Sequence, residues 1–85
     1  QAMIESAIKL GFSSSEAEFL VSQTFSGSVQ LQNRSKLSNE AWIQRVASKG
    51  GTTEAALSVF NQNALQEIVI DGIEAANTRA IELGA

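Results

Sequence analysis

The 85-residue sequence predicts an all-α fold, a short-loop helical bundle, on three observations. Apolar residues recur at spacings of three and four in every long segment, no segment alternates with period two for long enough to form a strand, and no proline interrupts a helix. Ile68-Val69-Ile70 is β-branched, but helical spacing flanks it on both sides.

Ala2, Met3, Ile4, Ala7, Ile8 and Leu10 fall mainly on one side of a first helix closed by Gly11. It has no capping residue and its apolar stripe is already running at Gln1, so the natural chain is expected to extend ahead of it. Ser13-Ser14-Ser15-Glu16 then offers a capping box, with Ser13 accepting the free amide near Glu16, Glu16 reaching back, and Phe12 stapling onto the next turn. The helix it starts should run to about Gln32 on a stripe of Ala17, Leu20, Val21, Thr24, Phe25, Ser28 and Leu31. Gly27 sits inside it at a cost of ~1 kcal/mol relative to Ala, which points either to a close crossing or to an isolated slack position. After a polar stretch, Ser38 is a reasonable cap for a short helix from Asn39 to about Ala47, with Trp42, Val46 and Ile43 on its inner side.

The segment Ser48-Lys49-Gly50-Gly51-Thr52-Thr53 interrupts the pattern before Glu54, Ala55, Ala56, Leu57, Val59 and Phe60 restore it, with Thr52 or Thr53 as the cap. Asn61-Gln62-Asn63 breaks that helix, and Asn63 with Gln66 reads as another capping box. The last helix, Ala64 to about Leu83, has the cleanest face: Leu65, Ile68, Val69, Gly72, Ile73, Ala76, Ala80 and Ile81.

Composition excludes several function classes. Without Cys or His the usual zinc and c-haem ligands are missing and no disulfide can form, and no acidic cluster or EF-hand loop suggests a carboxylate metal site, so no metal is expected. Six basic against nine acidic residues give a net charge of −3. Arg34, Lys36, Arg45, Lys49 and Arg79 form no local basic block, which argues against nucleic acid and anionic membranes as partners and against a helix-turn-helix reader. The region from Leu65 to Ala76 is interrupted by Gln66, Glu67, Asp71 and Glu74 and falls far short of a membrane span. No basic segment leads into an apolar one at the start, so a signal peptide is not expected, and the lack of Cys is compatible with the cytoplasmic location expected here.

The last helix carries apolar or small residues on more sides than a one-sided contact needs. If ~600 Å² of that surface met water, the unrealised burial would reach on the order of 15 kcal/mol as an upper estimate. A second subunit is the economical cover, the alternative being a compact monomeric bundle whose helices wrap one another.

The turn at Gly50-Gly51 permits positive φ and close approach of a ligand, and Thr52 and Thr53 stand where a helix begins. Free first-turn amides, the positive end of the helix dipole and two hydroxyls suit a small anion, a carboxylate or phosphate, with Lys49 adding charge; the same residues also read as an ordinary loop and cap. The pattern is neither a P-loop nor a dinucleotide fingerprint. No Ser/His/Asp or Cys/His set is present, nothing in the sequence desolvates Lys49 beside Ser48, and no catalytic residue is assigned.

The run Val46-Ala47-Ser48-Lys49-Gly50-Gly51-Thr52-Thr53-Glu54-Ala55-Ala56-Leu57-Ser58-Val59-Phe60-Asn61 resembles the signature of pyrroline-5-carboxylate reductases, the NAD(P)H-dependent enzymes of the last step in proline biosynthesis. Ala7-Ile8-Lys9-Leu10-Gly11 resembles the end of that family's first C-terminal-domain helix. Gln23-Thr24 with Gly27 resembles the Gln-Thr-x-x-Gly of its next helix, and Ala64 to Gly84, with Gly72-Ile73-Glu74-Ala75-Ala76 and Arg79, resembles its closing helix. The resemblance covers essentially the whole chain and only the helical part of the family's architecture.

It implies an intertwined homodimer, in some members assembled further, like the C-terminal domain of 6-phosphogluconate-dehydrogenase-like reductases. It places residues 1–85 in a dimerisation and substrate-carboxylate domain truncated at its start and lacking the N-terminal Rossmann domain that would bind NAD(P)H. By position it implies that Gly50, Gly51, Thr52 and Thr53 hold the carboxylate of pyrroline-5-carboxylate or proline and that Val46 and Ser48 shape the site. No cofactor is expected on this chain, and alone it is expected to be inactive. Trp42 departs from the Leu, Ile or Val usual at its position in the signature, which changes the local packing. A non-catalytic helical dimerisation or interaction module is the competing function; chemical-shift changes at Gly50 to Thr53 on adding proline separate the two.

Overall fold

A computed structural model describes residues 1–47 and 49–84. The elements among the described residues are all helices: α1 (Ala2–Lys9), α2 (Ser14–Arg34), α3 (Asn39–Val46), α4 (Thr52–Gln62) and α5 (Leu65–Glu82). They divide into two units, Gln1–Ser38 and Asn39–Ala85.

In the first unit α1 packs against α2. Gly11, at φ 111°, takes the left-handed conformation that turns the chain from one helix to the next. The expected capping box is present: the Ser13 amide donates to Glu16 Oε1 at 2.8 Å and the Glu16 amide to Ser13 Oγ at 3.2 Å. The apolar stripes meet at Ala17, which is fully buried, with Ile4, Ala7 and Val21 half-buried around it. At 1.5 Å per residue, α1 is about 12 Å long and α2 about 32 Å. The far part of α2 therefore has no helix beside it in its own unit, and Phe25, Val29 and Leu31 are exposed. The helix runs two residues beyond the expected Gln32, to Arg34.

In the second unit α4 packs against α5. Two sequence expectations fail at its helix starts. Neither Thr52 nor Thr53 is the cap of α4; Gly51 is, at φ −90° and ψ −177°, and both threonines lie in the first turn. Asn63 and Gln66 form no capping box either. The Asn63 side-chain amide donates to the Val59 carbonyl at 2.9 Å and so closes α4, while Ala64, at φ 55° and ψ 42°, stands at the N-cap of α5. On α3 Trp42 is half-buried, whereas Ile43 and Val46 are exposed rather than on an inner side. The Arg45 guanidinium lies 5.8 Å from the centroid of the Trp42 ring, within reach of a cation–π contact.

Ala17 is the one buried residue among those described. Along α5, Ile68, Val69, Ile70, Ile73 and Ile81 are all exposed, Ile73 at 67%.

Candidate functional site

The glycine–threonine turn connects α3 to α4. Lys49 and Gly50 form the turn, and Gly50 is at φ 73°, a left-handed conformation that L side chains rarely adopt, with open space where a Cβ would point. Gly51 follows as the half-buried N-cap, then Thr52, exposed, and Thr53, half-buried, in the first turn of α4. Val46 closes α3 on the other side of the turn and is 54% exposed. The expectation for Ser48 lies outside the described residues.

The chemistry of the α4 start follows from a comparison with α2. At α2 the Ser13 hydroxyl accepts the third amide of the helix and Glu16 accepts the N-cap amide, so the end is closed by its own side chains. At α4 the N-cap is a glycine and makes no side-chain cap hydrogen bond. Among the described residues the Thr52 and Thr53 hydroxyls also make no side-chain hydrogen bond, whereas Glu54 Oε1 accepts the Gly50 amide at 3.0 Å. The first turn thus has its backward contact but no side-chain acceptor over its leading amides, which, with the positive end of the helix dipole, suits an external anion.

Glu54, which is not among the residues expected at the site, contacts the turn through the Gly50 amide. The signal was present: a Glu at the third helical position after a cap is the residue that reaches back to amides ahead of the helix. Lys49 is exposed and makes no ion pair among the described residues; the ion pair present there is Arg79 to Glu82 at 3.0 Å on the exposed face of α5. Thr24 donates its hydroxyl to the Leu20 carbonyl of its own helix at 2.8 Å, a local contact. No group of three or more acidic, His or Cys residues among those described is placed to hold a metal ion. Among the described residues no helix is long and apolar enough to cross a membrane.

Residues 1–83 match the family model described as pyrroline-5-carboxylate reductase dimerisation. The chain is 37% identical over 83 residues to the pyrroline-5-carboxylate reductase of Pseudomonas aeruginosa, covering 98% of this chain and 30% of that protein. It is 36% identical over 84 residues to the Vibrio alginolyticus enzyme of the same name, covering 98% and 31%. It is 31% identical over 84 residues to pyrroline-5-carboxylate reductase 3 of Xenopus laevis, covering 99% and 31%. The chain therefore spans about a third of the length of these curated relatives. No solved structure matches it.

Proposed function

The chain belongs to the pyrroline-5-carboxylate reductase dimerisation family, and from that premise we propose that it is the C-terminal helical part of an enzyme that reduces 1-pyrroline-5-carboxylate to L-proline with NAD(P)H. The observation that carries this reading is the family match over residues 1–83, which takes in both the exposed helix faces and the glycine–threonine turn. In that role the apolar faces of α2 and α5 pair with a second copy in an intertwined dimer of the kind found in 6-phosphogluconate-dehydrogenase-like reductases, in the cytoplasm.

The chain's contribution to the chemistry is to bind and orient. Gly50, Gly51, Thr52 and Thr53 anchor the substrate carboxylate through first-turn amides and the Thr53 hydroxyl, fixing the ring so that one face of the imine is presented. Val46 and Ser48, by their positions in the family's signature, shape the site. The hydride for C5 of the imine is the chemistry that a bound dihydronicotinamide supplies. The described residues do not fit that cofactor: their elements are all helices, with no strand running into a glycine-rich turn.

Two measurements test the proposal. Exchanging this chain for the matching segment of the Pseudomonas aeruginosa reductase should preserve imine-dependent oxidation of NADPH, while the 85-residue chain alone shows no turnover; activity from the isolated chain overturns the assignment. In the exchanged enzyme Thr53→Ala should weaken substrate binding by ~1–3 kcal/mol, seen as a higher KM. An unchanged KM removes Thr53 from the site.

A further inference from the structure

Glu54 occupies a position that neither the turn's glycines nor its threonines explain. It is the third residue of α4, and its Oε1 accepts the Gly50 amide at 3.0 Å. In α2 the residue at the same position, Glu16, reaches the amide of the N-cap itself. In α4 the reach is one residue longer, to the glycine that precedes the N-cap and carries the φ of 73°.

Two effects of opposite sign follow for the leading amides of α4. The hydrogen bond pins the one glycine whose freedom would otherwise let the turn open, and a pinned turn spares a ligand the cost of ordering it. The same carboxylate places a negative charge one helical turn from where an incoming anion would sit, and like charges at such separation repel even in water. Gly51 has no side chain to cap these amides, so Glu54 governs their geometry without filling them.

We infer that Glu54 is a positioning residue of the carboxylate site, holding the Gly50–Gly51 turn in one fixed form through the Gly50 amide while its charge limits how tightly a carboxylate binds. The inference rests on the proposed function, since it names the residue that tunes that same site. It separates the side chain's two contributions. Glu54→Gln keeps an acceptor of the same reach and removes the charge, so a carboxylate should bind about threefold tighter. Glu54→Ala removes both, so the ligand must order Gly50 itself, and binding should weaken about threefold or more despite the lost repulsion.

The experiment is a titration of the ¹⁵N-labelled 85-residue chain and both variants with L-proline, following the Gly50 to Thr53 amides, with circular dichroism to confirm equal helix content. Opposite changes in affinity for the two variants, with the ligand-free Gly50 amide proton shifted upfield only in Glu54→Ala, are the expected result. Binding that is equal in all three chains, or changes in the same direction in both variants, overturns the positioning role and leaves the proposed function standing. An absence of proline binding in all three overturns the positioning role and removes Gly50 to Thr53 as a carboxylate site of the isolated chain, while the enzyme assignment is decided by the exchanged enzyme.

Discussion

Ser13 and Glu16 form a closed pair in which each side chain accepts the other residue's backbone amide. Substituting Ser13 by Ala should destabilise α2 by ~1 kcal/mol, read as a lower thermal midpoint of the helical signal. The Glu16 carboxyl is held below its ordinary value, first by the Ser13 backbone amide and then by the Ser13 hydroxyl, with a smaller opposing effect of desolvation. A depressed carboxyl contributes stability that is complete above its unfolded value and lost as pH falls through the lower folded one. Helix content should therefore decline through the acid range below the usual glutamate value, and Glu16→Gln should flatten that part of the curve; an unaltered profile would remove Glu16 from the acid response. This box was readable because its residues lie three apart, and the Ser13–Ser15 hydroxyl contact at 3.3 Å leaves both of its hydrogen bonds in place. The same spacing at Asn63 and Gln66 misled, because the Asn63 amide finds the Val59 carbonyl of the helix it ends. Likewise Thr52 and Thr53 resemble caps, but Glu54 ties down Gly50 and Gly51 takes the capping position, leaving the threonines inside the helix.

At the scale of elements, periodicity identified each helix and placed its ends within about two residues, because the 3.6-residue repeat is imprinted by the need for a buried stripe. It could not show what covers the stripe. In α2 the apolar positions opposite α1 are the ones that lose water, while Phe25, Val29 and Leu31 carry the same spacing into open space. Gly27 of α2 and Gly72 of α5 sharpen the point, since a Cβ added at either meets nothing within 4 Å. Among the described residues of its own unit neither glycine serves a close crossing, so Gly27→Ala and Gly72→Ala should each stabilise their helix by ~1 kcal/mol under dilute conditions, measured by chemical denaturation. A substitution that destabilises the dilute chain would mean that a neighbour already packs against that glycine.

The molecule as a whole poses a problem of cover. The first unit ends at Ser38, and chains below about 40 residues usually need disulfides, metals or association to stay folded. With no Cys in the chain no disulfide can supply that stability, and packing against a further surface is the economical route. In the second unit Ile73 lies on the face shared by Leu65, Ile68, Val69, Gly72 and Ala76, and its exposure in one chain makes it a sensitive probe of a partner. If a symmetric second copy covers this face, each substitution acts twice, once from each subunit. Ile73→Glu should then forfeit ~2 kcal/mol of burial per copy, together about 4 kcal/mol, and raise the dimer dissociation constant about a thousandfold. In the dilute single chain the same change alters only an exposed position and should leave stability within ~0.5 kcal/mol. Sedimentation equilibrium distinguishes these situations: the unsubstituted chain should sediment as a dimer at micromolar concentration and the Ile73→Glu chain as a monomer. A helical, monomeric unsubstituted chain at high micromolar concentration would show that these faces need no second copy.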